Sequence, residues 1–225
     1  MKKNYLYLLL LFTFWSCNNE EQTNTDQSEP PQAVSTVFSD TKPLGLDKVW
    51  YQGKAEVSRY SLAQNRYRQI NNGEAVLIFV TEDFLTDKQV KNDRYSNPNS
   101  TPVIKTNHLR KFPTGFYDYS LMLSVFTPTK VHEFPNTMKV TTSIQDWCGH
   151  VFMQLNQKGD QYQAEMRSYF ESEGDEELNV PIYPLEDELF NRLRMDPASL
   201  PQGKFKMYPG TFFVRLAHKE FRAQD

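Results

Sequence analysis

The feature that most restricts this chain is a stretch whose side chains alternate on both sides of a turn. Trp147, Gly149, Val151, Met153 and Leu155 take every second position, and beyond Lys158-Gly159 so do Tyr162, Ala164, Met166, Ser168 and Phe170. A period of two belongs to a strand with one buried face. Two such runs around a Gly-containing turn predict a hairpin from about Thr141 to Glu171. With the turn at Lys158-Gly159, Leu155 pairs with Tyr162, Met153 with Ala164, Val151 with Met166 and Trp147 with Phe170, giving an apolar face. A slip of one residue would set Glu171 opposite Trp147 and mix the two faces. Lys-Gly is a weaker turn signal than Asn-Gly, and a four-residue loop over Gln157 to Asp160 keeps the same parity.

The other face carries the residue types that do chemistry. Asp146, Cys148 and His150 stand at i, i+2 and i+4 of the first strand, with Arg167, Glu165 and Tyr169 expected on the second. A thiol beside an imidazole is the pairing of an activated nucleophile, with Asp146 or Glu165 orienting the ring. The same Cys148 and His150, with Glu165 or Asp146, would also suit zinc. Neither pattern is specific. Alternate side chains on one strand sit roughly 7 Å apart at the backbone, and the chain has no CxxC and no HExxH. The plainer expectation is a mixed sheet face with Cys148 packed, His150 on Glu165 and Arg167 on a carboxylate. It carries no catalytic residue, metal or cofactor, and leaves Arg167, Glu165 and Tyr169 as a polar face for a ligand. Cys148, His150 and Asp146 are the catalytic alternative.

Further strands follow from the same alternation. Lys54 to Leu62 reads as a strand, Asn71-Asn72-Gly73 as a turn and Glu74 to Glu82 as a strand apolar on both faces, hence covered on both. Asp87 to Ser100 reads as a loop, Pro102 to Phe112 as a strand with a basic end, and Phe116 to Phe126 as a strand closed by Pro128. Ser172 to Asn179 reads as an acidic loop. Pro184 to Met195 is the one helix, with Leu185, Leu189, Phe190 and Leu193 as an apolar stripe to lay on the sheet. Its acidic first turn and Arg192 and Arg194 in the last suit the helix dipole. Lys204 to His218 reads as one or two strands broken at Pro209-Gly210. Tyr60, Tyr67, Tyr117 and Tyr119 read as core aromatics before ligand contacts, and the carboxylate clusters 82–83, 171–175 and 186–188 as solvated loops and a helix start. The predicted fold is mainly β, a curved antiparallel sheet or partly open barrel with one packed C-terminal helix.

The first residues address the chain. Lys2-Lys3 precede an apolar run from Tyr5 to Trp15, too short to span a bilayer and of the length of a signal-peptide core. Ser16-Cys17 then resembles the lipobox of bacterial lipoproteins, although Phe14 and Trp15 replace the residues usual there; ordinary signal cleavage or an uncleaved anchor are the alternatives. The resemblance implies a signal peptide over 1–16, lipidation at Cys17, a disordered tether over 17–48 and a single β-rich domain over 49–225. Several acyl chains on one residue make a stable anchor, at about 0.8 kcal/mol per buried CH₂. The tether is polar and acidic, with a reach of roughly 30 Å. Glu20-Glu21 resembles an acidic surface-export signal, or is a solvated linker. The expected place is the outer membrane, on its periplasmic face or at the cell surface. Twenty-five basic against 28 acidic residues, with no basic stripe, exclude a general nucleic-acid binder. No GxSxG, phosphate loop or dinucleotide fingerprint is present.

Trp50 to Tyr60, Gly73 to Phe84, Gly115 to Met122 and Trp147-Cys148-Gly149-His150 together resemble a family of poorly characterised lipoproteins of Bacteroidota-type bacteria, often labelled septum formation inhibitor Maf. Maf pyrophosphatases proper begin with a Ser-rich, Arg-bearing phosphate loop. Ser58-Arg59-Tyr60-Ser61 falls in a predicted strand instead, so the label is expected and the activity is not. The resemblance also implies a longer chain, leaving a sheet edge open near Phe212 to Leu216. The expected function is a non-catalytic binding module on the envelope for an apolar ligand or envelope partner; a thiol-dependent enzyme using Cys148 and His150 is the alternative.

Overall fold

The computed structural model describes residues 46–225. The leader, Cys17 and all but the last residues of the tether lie outside the described residues. Eight strands form one antiparallel meander in which each pairs with the next: β1 (Ala55–Arg66), β2 (Gln69–Leu85), β3 (Ser100–Pro113), β4 (Asp118–Pro128), β5 (Lys139–Gln145), β6 (His150–Lys158), β7 (Gln161–Arg167) and β8 (Glu176–Pro181). β1 and β8 are the two edges, so the sheet stays open rather than closing into a barrel. The mainly β expectation holds.

One face of the sheet is the core. Leu121, Leu123 and Val125 of β4 lie in register with Ile144 and Val140 of β5 and with Val151, Met153 and Leu155 of β6, all buried. Tyr162, Ala164 and Met166 of β7 complete it. The expected parity of the central hairpin is therefore correct, but its register is shifted by two: Met153 pairs with Met166 and Leu155 with Ala164. The turn is Gly159-Asp160, with Gly159 at φ +60°, a conformation glycine adopts without steric cost. A two-residue slip keeps every side chain on its face, so hydrophobic pattern alone cannot detect it.

The first half of the expected hairpin is interrupted. β5 ends at Gln145, which pairs with His150, and Asp146 to Gly149 turn the chain between β5 and β6. Trp147 is thus 75 % exposed rather than part of the apolar spine. The Asn71-Asn72-Gly73 turn is also displaced: the reversal falls at Tyr67-Arg68, both left-handed at φ 54° and 63°. Asn71 supports it from inside, its Nδ2 donating to the carbonyls of Gln64, Arg66 and Gln69. Gly73 instead serves a close crossing, since a Cβ there would lie 2.1 Å from the Lys111 carbonyl oxygen.

Other corrections have physical causes. β8 stands where an acidic loop was expected; it is an edge strand exposed at four of its first four positions, so it shows no apolar alternation. Val76, Ile78 and Val80 on the outer face of β2 are only half-buried, and Val57 opposite Ile78 is exposed, so β2 is not covered on both sides there. The helix arrives as a 3₁₀ turn, Glu186–Glu188, followed by α1 (Leu189–Met195). A second short helix, α2 (Thr211–Leu216), replaces the strands and the open edge expected near Phe212 to Leu216. It buries Phe212 and Val214 against the core and joins Thr211 Oγ1 to Thr142 Oγ1 at 2.5 Å.

α1 lies on the sheet by an unexpected face. Leu185 is buried, but Phe190 and Leu193 of the predicted apolar stripe are 46 % and 42 % exposed. The buried positions are Glu188, Asn191 and Arg192. Asn191 donates to the carbonyls of Ile104 (3.1 Å) and Val125 (3.4 Å) and to Thr127 Oγ1 (3.0 Å), and accepts from Thr106. Inward-facing threonines on β3 and β4 thus receive a polar helix face.

Candidate functional site

The residues that looked most like chemistry do not assemble. Asp146 Oδ1 accepts from the backbone N–H of Cys148 (2.7 Å) and Gly149 (3.0 Å), which makes it the brace of an Asx-type turn. Cys148 sits exposed at that turn, and His150 is exposed at the start of β6. The three are not alternate positions of one strand, and no hydrogen bond joins Cys148 to His150 among the described residues. Glu165 and Arg167 face Gln154 and Phe152, not the positions expected. They form a surface ion cluster in which Arg167 meets Glu165 and Glu177, each at 2.7 Å. Tyr169 is exposed and lies over Gly149. Among the described residues no group of three or more His, Cys, Asp and Glu is placed to hold a metal.

A different place combines a cavity with converging polar groups. A cleft of about 710 Å³ opens between the covered face of β1 to β4 and the two helices. Its apolar walls are Leu123, Leu189, Phe190, Phe212, Phe213 and Leu216. Phe190 and Phe213 are both about half exposed, at 46 % and 53 %, and so form the lips. The exposed side of α1 is therefore the wall of a cavity, while its polar side faces the sheet.

The sheet supplies the polar wall. Arg66 ends β1, and His108 and Arg110 project inward from β3 beside Leu77 and Ala75 of β2. Arg110 Nε donates to His108 Nε2 at 3.1 Å and Nη1 to Gln64 Oε1 at 3.1 Å, while its guanidinium stands 4.9 Å over the Phe212 ring. Burial, then the Arg110 charge, lowers His108 to about 4, so the imidazole is neutral at pH 7 and accepts that hydrogen bond. Arg66 donates to Tyr119 Oη at 3.2–3.3 Å and to the Leu216 carbonyl, which ties β1 to α2. The left-handed Tyr67-Arg68 turn stands at the same end of the cleft, with Tyr67 Oη 2.7 Å from Tyr119 Oη. Of the four tyrosines, Tyr119 is core, Tyr117 packs partly buried against it, Tyr60 is exposed and Tyr67, itself half exposed, lines the cleft.

The helical side supplies two carboxylates: Glu186 is exposed, as a solvated helix start should be, whereas Asp187 is partly buried. Glu186 Oε2 accepts from Gly210 N at 2.7 Å. Asp187 Oδ2 accepts from Thr211 N at 2.9 Å and Thr211 Oγ1 at 2.7 Å. Burial raises Asp187 to about 6, opposed by the Thr211 hydrogen bonds, reinforced by Glu186 and opposed by Arg110.

The basic runs at 65–69 and 108–111 contained the signal for this site. His108 and Arg110 share the parity of Ile104, Thr106 and Phe112, so charge was assigned by sequence to an inward face. The helical half, from 186 to 217, is brought there only by tertiary packing. Comparison of the chain with family models, with curated proteins and with solved structures found no match.

Proposed function

We propose that this chain is a cell-envelope lipoprotein, anchored through Cys17 at the outer membrane, whose folded body is a non-catalytic binding module with its ligand in the cleft beneath α1 and α2. The observation that carries it is the cleft itself. Its volume falls within the roughly 300–1,000 Å³ of small-molecule pockets, and aromatic walls with a few converging polar groups are the usual composition of such sites. Its ionisable side chains have protein partners: Tyr67 Oη meets Tyr119 Oη, His108 accepts from Arg110, Glu186 from Gly210 and Asp187 from Thr211. The lipidated anchor and the envelope location rest on the pattern from Met1 to Cys17 and on the resemblance to envelope lipoproteins.

The test is titration of the full chain, held in nanodiscs, with a neutral apolar fluorophore. Saturable binding is expected. Ala217→Trp, which fills the cleft from its wall, should weaken binding at least about tenfold with the fold retained. Cys148→Ala should leave binding unchanged. Loss of the protein's function in Cys148→Ala with folding intact would favour the thiol enzyme instead.

A further inference from the structure

Among the described residues, arginines shielded from solvent are paired with carboxylates except in the cleft. Arg192 meets Glu188, Arg194 meets Glu56 and Arg215 meets Glu173. Of the arginines that are at least half-buried among the described residues, Arg66 and Arg110 alone have no carboxylate within ion-pair distance, and both line the cleft. Their hydrogen bonds go to neutral acceptors. Arg110 uses Nε and Nη1 on His108 and Gln64, which leaves Nη2 with no protein partner among the described residues. The Phe212 ring beneath holds that guanidinium plane in place. Glu186 and Asp187 act on Arg110 through space, but neither stands within ion-pair distance of it, and one oxygen of each, Glu186 Oε2 and Asp187 Oδ2, is held by the backbone at the start of α2. The cleft therefore joins an unpaired, oriented cation to an aromatic wall.

Resting on the binding-module proposal, we infer that the ligand is an apolar carboxylate, its head on the open side of Arg110 and its body between Phe190, Phe212 and Phe213. A guanidinium fork matches a carboxylate in shape as well as charge. A monoanion suits the site better than a phosphate dianion, because Glu186 and Asp187 stand in the same wall and oppose each added negative charge. Arg66 adds positive potential at the end of the cleft without giving up its bonds to Tyr119 and Leu216.

Four probes separate the contributions: octanoate, octanol, acetate and octyl phosphate, titrated by calorimetry into the full chain in nanodiscs with empty nanodiscs as the blank. Octanoate should bind at least about tenfold tighter than octanol and than acetate, and tighter than octyl phosphate. Arg110→Gln should abolish the margin of octanoate over octanol while octanol still binds, and Arg110→Lys should keep part of it. Equal binding of octanoate and octanol overturns the carboxylate assignment but leaves the binding module standing. Tighter binding of acetate or of octyl phosphate overturns it as well. Failure of every amphiphile to bind removes the module and the assignment together. The comparison of head groups on the unaltered chain decides the matter even if Arg110→Gln does not fold.

Discussion

Arg192→Met should lower the unfolding free energy of the chain by about 3–5 kcal/mol, measured by urea denaturation. Glu188 has no exposed surface, and Arg192 is 4 % exposed. The carboxylate receives Arg192 Nε at 3.0 Å, Arg192 Nη2 at 2.9 Å, Thr137 Oγ1 at 2.6 Å and the Leu185 backbone N–H at 3.0 Å. Arg192 Nη2 also donates to the Pro135 carbonyl at 2.6 Å. Removing the guanidinium strands a buried negative charge and orphans that carbonyl, and the desolvation already incurred is no longer offset. The double variant Glu188→Leu/Arg192→Met should cost less than Arg192→Met alone, because no unpaired charge then remains. A loss under about 1 kcal/mol in the single variant would mean that water reaches the pair. The same contact seats α1, so a chain that tolerates Arg192→Met poorly should also lose the Leu189–Phe190 wall of the cleft.

The cleft should give two opposite pH dependences that nearly cancel. His108 is lowered to about 4 in the folded chain, from an ordinary 6.5. The folded state thus binds this proton later than the unfolded state, so His108 contributes stability present above pH 6.5 and lost as pH falls towards 4. Asp187 is raised to about 6, from an ordinary 3.8. Its contribution is present below pH 3.8 and lost as pH rises through 6. Each group contributes up to roughly 3 kcal/mol. The groups facing these two are Arg110, Arg66 and Glu186, all in the same cleft. Compared with the unaltered chain between pH 4.5 and 6.5, His108→Gln should gain stability on acidification and Asp187→Asn should lose it. Differences from the unaltered chain cancel the other titrating groups. Urea midpoints of both variants running parallel to the unaltered chain would contradict the assignment.

How much of this was legible depends on what each segment buries. β3, β4, β6 and β7 could be read because one face of each is apolar and the other is not, and parity survives even a wrong turn. The edge strand β8 buries almost nothing and so left no pattern. Thr211 to Leu216 reads Thr-Phe-Phe-Val-Arg-Leu, residues at home in a strand, and packing made it a helix. α1 was assigned the wrong buried face because its Leu and Phe suggested core, whereas the sheet beneath it presents Thr106, Thr127 and open carbonyls that only a polar face can satisfy. Cys148 and His150 are reactive by residue type, but the turn braced by Asp146 takes Cys148 out of the strand that His150 begins. The sheet half of the cleft was present as charge at inward parity, but its partners lie some eighty to a hundred and fifty residues away, as the Arg66 to Leu216 contact illustrates with a separation of 150.

The most direct test of the cleft as the ligand site is amide and side-chain NMR of the full chain during titration with octanoate. Shift changes should concentrate at Tyr67, His108, Arg110, Phe190, Phe212 and Phe213, and saturate together. Changes confined to the Asp146–His150 turn, or to the outer face around Val57 and Met122, with the cleft signals unmoved, would contradict it.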